Sequence, residues 1–353
     1  MKAKCLAYPR RSWHALLLVA LLSLGFGVPV FCGICAEAAA RRYEFAEPHM
    51  GTVWTITCYS PSGHAPTNEV RQAFERIDAL ERIMTDYDSG SELLRFCAAP
   101  AGQWHSLSPD LFPILEASGR IVRQTGGVFD PTVGPLVQVW RRARRQREFP
   151  EMARRQAALS VMGWTNVALR RKDFSGRLTI PGMRLDLGGI AKGYAADAAL
   201  QVLKAGGVRS ALVAASGDLA IGDPPPGQPG WRVRVGDPSD RTNTLGQVLI
   251  LKNCGVSTSG DTEQFVEIQG VRYSHIVDPR TGLGLTNRIQ ATVIAENATR
   301  SDALATAVCL LGPAAGQRMV DADRKLSSLL LIKTDTGYEQ LPSRRFRRHL
   351  RAP

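Results

Sequence analysis

"RLDLGGIAKGYAADAALQVLKAGGV", Arg184 to Val208, organises the reading of the whole chain. Asp186 reads as the end of a strand, Gly188-Gly189 as a tight turn, and an amphipathic helix opens near Ala191 and closes at Gly206-Gly207. "RSALVAASGDLAIGD" (209–223), "WRVRVGDP" (231–238) and "QVLILKNCGVSTSG" (247–260) then follow as strands without intervening helices.

Outward from that corner, strands and helices interleave irregularly. "HMGTVWTITCYS" (49–60) reads as a first strand, and "NEVRQAFERIDALERIMTDY" (68–87) repeats apolar residues at helical spacing. "SPDLFPILEASGRIVRQTGG" (108–127) has Ser108 as N-cap, Pro109 in the first turn and a glycine stop after Thr125. "EQFVEIQGVRYS" (263–274) alternates like a strand pair turning at Gln269-Gly270. "TRSDALATAVCLLG" (299–312) reads as a buried helix leading to the strand "LSSLLLIKT" (326–334). No regular βαβ unit recurs, so the expectation is α+β with mainly antiparallel sheet, in one domain over residues 41–342.

The chain has 353 residues, 44% hydrophobic and 22% charged, as in a soluble globular protein. Residues 1–40 differ. Four cations precede the apolar run "ALLLVALLSLGFGVPVF", and "CAEAAA" offers a small-residue cleavage site after Ala38 or Ala40. This reads as a secretory signal peptide, which implies a periplasmic protein. Arg10-Arg11 loosely resembles a twin-arginine signal, and a plain basic region for general secretion fits as well. The formal charge of +12 gathers in "RRARRQR" (141–147) and in a basic tail over 343–353. No nucleic-acid motif accompanies these runs, and export argues against that partner. Peripheral contact with an anionic inner-membrane surface suits them, and so does a solvated basic face. Cys58, Cys97, Cys254 and Cys309 show no C-x-x-C spacing, so no disulfide can be assigned; Cys58 and Cys309 read as core thiols.

Four segments offer chemistry. Gly188-Gly189 with Lys192 in the first helical turn would suit phosphate, although a plain structural corner has the same look. In "TGGVFDPTVGPLVQVW" (125–140), Phe129 could face a planar ring or simply fill the core. Asp302 and Thr306 lie four apart on one helix face and could hold a hard cation; a helix-start carboxylate and a back-bonded hydroxyl explain them too. Ser257, Thr258, Ser259 and Asp261 read as a polar loop, and His275 follows one hairpin later. Asp261 and His275 could form an acid–base pair, and the G-x-S-x-G elbow of a hydrolase is absent.

In order along the chain, "MGT" (50–52), "GGVFDPTVGPLVQVW", "DLGGIAKGYAAD", "STSGDTEQF", "HIVDPRTG" and "SDALATA" closely resemble the ApbE family of flavin transferases. The resemblance implies a T-fold-like α+β architecture and Mg²⁺-dependent transfer of FMN from FAD to a Thr (or Ser) hydroxyl of a target protein, with release of AMP. It implies Asp302, Thr306 and the Gly189 carbonyl as magnesium ligands. Met50, Tyr87, Val128, Phe129, Asp130, Asp186, Lys192 and Ile276 match FAD-contacting positions, and His275 with Asp261 match the acid–base pair. The implied partner is a flavin-accepting redox protein, such as a subunit of a membrane electron-transport complex. Two positions depart from the pattern: Cys97 stands where the family commonly has Asn, and Ser216 where it often has Gly. An FAD pyrophosphatase of the same fold and a non-catalytic flavin-binding assembly protein are the alternatives; Tyr87, at an adenine-side position, favours transfer.

Overall fold

Ile289–Ala295 is buried at all seven positions, so the sheet that contains it must be covered on both faces. The computed structural model describes residues 40–350 apart from 61–62, 237–246, 261–263 and 336. In it, eight strands form one sheet in the order Arg41–His49, Thr52–Ser60, Ala211–Ala215, Asp218–Ile221, Cys254–Gly260, Ile289–Ala295, Ser327–Thr334 and Gly337–Pro342. Every neighbouring pair is antiparallel. The α+β expectation is met.

Side-chain alternation divides the core in two. Val293, Ala291 and Leu330 face the helices Thr67–Met84, Ala191–Ala205 and Ala298–Ala322. Ile294, Leu329 and Leu331 point the other way, towards the strand pair Trp231–Val235 and Gln247–Leu251. Phe346, wholly buried, completes that second core, and Arg345 gives its guanidinium to the carbonyls of Val320, Asp321 and Asp323. The segment read as a basic tail is therefore packed structure as far as Leu350.

Local signals held where they had a mechanism. Ser108 Oγ accepts the Leu111 N–H at 3.0 Å, although the Leu111–Thr125 helix itself starts after Asp110, with Ser108 and Pro109 in the turn before it; Gly126 ends it with φ +64°. Gln269 and Gly270, with φ of 52° and 76°, turn the hairpin Phe265–Ile268/Val271–Ser274. Three readings need correction. The stretch from His49 is the second arm of a hairpin whose turn is Met50-Gly51, its first arm being Arg41–His49. "QVLILKNCGVSTSG" is two strands in different sheets, and Ser257–Ser259 are strand rather than loop. Asp186 lies outside any strand just before the helix, its N–H held by the Pro131 carbonyl at 2.8 Å, rather than at a strand end.

Candidate active site

The site is built where two helix starts meet, Ala191–Ala205 (the cleft helix) and Ala298–Ala322 (the long helix, which breaks at Gly312 and resumes at Pro313). A helix start leaves N–H groups with no intrahelical acceptor. Asp302 of the long helix, 3% exposed, accepts the Gly193 N–H at 3.0 Å. In return Asp197 of the cleft helix accepts the N–H groups of Ala298 and Thr299 at 2.9 and 2.8 Å, and the Thr299 hydroxyl at 2.6 Å. The helices cap each other. Their approach requires Gly193, where a Cβ would fall 2.2 Å from the Ala298 carbonyl oxygen.

This crossing concentrates charge. Lys192, beside Gly193, makes an ion pair with Asp218, which is 2% exposed at the start of the Asp218–Ile221 strand. Burial pushes the Asp302 carboxyl well above the usual carboxylate range, the Asp218 charge adds to this, and Lys192 opposes it. Thr306 is one turn further on. Its hydroxyl is 3.2 Å from Ser259 Oγ, on the neighbouring strand rather than on its own helix. A Cβ on Gly189 would lie 3.5 Å from Thr306 Oγ1, so the Gly188-Gly189 turn abuts the same point. A buried carboxylate, a hydroxyl and an adjacent backbone turn form a hard-oxygen donor set. A divalent cation fits it and would relieve the Asp302–Asp218 repulsion.

Around this point opens a cleft of about 1370 Å³. Every site residue named from the sequence lines it (Met50, Tyr87, Val128, Phe129, Asp130, Asp186, Gly189, Lys192, His275, Ile276, Asp302 and Thr306) except Asp261, which lies outside the described residues. Phe129 and Ile276 are buried apolar wall. Tyr87 is 79% exposed at the rim, with the Arg141 guanidinium 4.2 Å over its ring. Asp130 holds a turn: it accepts from Thr132 N and Oγ1 and from Trp164 N, while burial raises its pKa against those bonds. His275 Nδ1 is 3.0 Å from the Gln264 carbonyl oxygen. A carbonyl only accepts, so Nδ1 carries the proton and Nε2 is the basic nitrogen. Asp278 supports the loop, taking both the backbone N–H and the guanidinium of Arg280.

Sequence reasoning missed Asp218, Asp86 and Arg141. Arg141 bridges Asp86 at 2.5 and 3.1 Å and reaches Asp186 at 3.4 Å. Burial and the Asp86 charge raise the Asp186 pKa, and the Gly188 N–H bond and Arg141 oppose them. Arg141 was hidden within a run that reads as solvated, although Ala143 of that run and Trp140 just before it are buried. The two departures separate. Ser216 lines the cleft, whereas Cys97 lies outside its lining and accepts the Leu185 N–H on Sγ at 3.2 Å. No disulfide joins the four described cysteines, and Cys58 and Cys309 lie in the core. A further ligand-like group, His49, Asp78 and Glu81, adjoins the rim; there Asp78 is paired with Arg82 and His49 with Glu47.

Comparison with known proteins supports the same reading. A FAD:protein FMN transferase of Vibrio cholerae serotype O1 is 29% identical over 344 residues, covering 96% of this chain and 98% of its own. One from Treponema pallidum is 32% identical, covering 82% of this chain and 85% of its own. The crystal structure of the Pseudomonas stutzeri flavinyl transferase ApbE, in apo form, superposes with a TM-score of 0.79 at 28% identity, covering 89% of this chain and 98% of that one. The profile of the ApbE family matches residues 50–330, and the chain belongs to that family.

Proposed function

We propose that the chain transfers FMN from FAD to a Thr or Ser hydroxyl of a target protein, releasing AMP, with Mg²⁺ as its metal. One observation carries this reading. A single cleft joins the buried Asp302 and Asp218 carboxylates and the half-buried Lys192 to an apolar wall of Phe129 and Ile276 and to His275 at its edge. At about 1370 Å³ it exceeds the roughly 300–1,000 Å³ of a drug-sized pocket and suits a dinucleotide.

Asp302, Thr306 and the Gly189 carbonyl would hold the metal, which when bound supplies charge neutralisation at the pyrophosphate. Lys192, oriented by Asp218, binds phosphate oxygens. His275 Nε2 takes the proton of the acceptor hydroxyl as its oxygen bonds to the FMN-side phosphorus. The bridging P–O bond breaks and its electron pair leaves with AMP. Phe129 and Ile276 keep the flavin side of the nucleotide in place. Asp261 is assigned as the partner of His275 from the family pattern.

The acceptor in this reading is a redox protein, such as a subunit of a membrane electron-transport complex. Residues 1–40 serve as a signal peptide that places the enzyme in the periplasm. Incubation with FAD, Mg²⁺ and an acceptor protein should give a band with covalent flavin fluorescence. Release of free FMN and AMP without labelled protein would replace transfer by pyrophosphatase action. N-terminal sequencing of the exported protein tests cleavage after Ala38 or Ala40.

A further inference from the structure

Exposed large apolar side chains are few among the described residues, and they are unevenly placed. Half of them, Phe149 (38% exposed), Met152 (64%), Phe265 (39%) and Val271 (42%), lie on two segments beside the cleft: the turn after the Gly134–Gln146 helix with the first residue of the Met152–Ser160 helix, and the Phe265–Ser274 hairpin. Val53, Tyr87, Trp104 and Phe174 lie outside these segments. Ring contacts tie the two together. Phe149 is 6.1 Å from Trp140 and 5.4 Å from Tyr273, and both of those rings line the cleft. Phe265 lines it as well, and His275 follows directly on the hairpin. The patch is therefore the rim beside the proposed base.

Its charge is of one dominant sign. Arg155 lies 5.2 Å over the Phe149 ring and Arg272 lies 3.4 Å over Phe265. Arg144 lines the cleft, and Arg145 and Arg147 are exposed at the end of the same helix. The acids on these segments are Glu148, Glu151 and Glu267, with Glu151 paired to Arg154. Apolar anchors interleaved with arginine are the composition of a protein-recognition surface.

We infer that this rim docks the acceptor protein, through a segment that presents apolar side chains with acidic flanks next to the modified hydroxyl. The inference rests on the transferase reading above and names its substrate class. An acceptor is favoured over a lipid surface because the patch borders the cleft next to His275, where a hydroxyl must arrive and a membrane would obstruct entry. Steering by opposite charge would bring the acceptor in the correct orientation.

Two fluorescent peptides test this, each with one central Thr and the same apolar residues, one flanked by Asp and the other by Lys. Anisotropy measures binding, and mass spectrometry measures FMN addition. The Asp peptide should bind the full-length enzyme at least about tenfold more tightly. Arg145→Glu with Arg147→Glu should cancel or reverse that preference, and Phe149→Ser should weaken binding of the Asp peptide. A matched reversal elsewhere, Arg347→Glu with Arg348→Glu, should leave the preference intact. Equal binding of the two peptides, or the same effect from both charge reversals, would overturn the docking surface. So would binding to phosphatidylglycerol vesicles that is lost in the Arg145/Arg147 variant while peptide preference is unchanged. Selective binding without FMN addition would keep the surface and remove the transferase reading; FMN addition to both peptides without selective binding would do the reverse.

Discussion

The Asp302 carboxylate accepts the Gly193 N–H at 3.0 Å and so closes the start of a helix that is not its own. The same carboxylate is the proposed metal ligand, and substitution separates the two roles. Asp302→Asn keeps an acceptor for Gly193 and loses the charge; Asp302→Ala loses both. Turnover should fall by about 100-fold or more in each, since several kcal/mol of metal assistance go. Only the alanine variant should also lose stability, by about 1–2 kcal/mol in denaturant titrations. Added Mg²⁺ should raise the Tm of the wild type and leave that of Asp302→Asn unchanged.

Gly193→Ala places a methyl group 2.2 Å from the Ala298 carbonyl oxygen and 2.8 Å from the Asp302 Cβ. Neither neighbour is a flexible side-chain end, so the two helices must part. The expected cost is about 3 kcal/mol, the upper end for an overpacked core, with a parallel loss of activity because two of the three proposed ligands, Asp302 and Thr306, ride on the displaced helix. Thermal melts and turnover check it together.

Asp218→Asn removes the charge that holds Lys192. If that pair orients the ammonium towards phosphate, the KM for FAD should rise by about tenfold while kcat changes less. Lys192→Arg should not restore binding to Lys192→Ala, because a planar guanidinium cannot take the place of a compact ammonium beside Asp218. Steady-state kinetics with FAD varied at fixed acceptor decide both points.

His349 lies 3.2 Å from Ser327 Oγ, and burial together with the Arg348 charge lowers its pKa to about 4 from 6.5. A histidine depressed by folding takes up its proton more readily when unfolded. Its contribution is complete above pH 6.5 and is lost as pH falls towards 4. Tm should therefore decline between pH 7 and pH 4.5 more steeply in the wild type than in His349→Gln.

Legibility in the sequence followed the range of the interaction. Ser108, Gly126 and Gln269-Gly270 act on their own neighbours, and their elements were readable. Ser257–Ser259 looked like a loop because small polar residues are rare in strands. They are small and polar because the long helix packs on them, with Ser257 Oγ 2.8 Å from Ser301 Oγ and Ser259 facing Thr306. Asp218 stood inside a segment read simply as strand, and its partner Lys192 lies 26 residues away. Arg141 and Asp86 are joined across 55 residues. No local pattern encodes such pairs. The site residues that motif resemblance did supply all line one cleft, apart from Asp261, which lies outside the described residues.

Phe346, sealed at 0% exposure between the main sheet and the Trp231–Val235 pair, bears on the order of assembly. Strands from Trp231 onward emerge from the ribosome long before Phe346 does, and their apolar faces wait for it. The helix-covered side can form from earlier-made segments, whereas the opposite side stays open until Phe346 and Leu350 arrive. A nascent chain halted before residue 346 should therefore expose Trp231 and Val233 to chaperones, and a protease pulse should cut it there. Release of the next few residues should end that sensitivity.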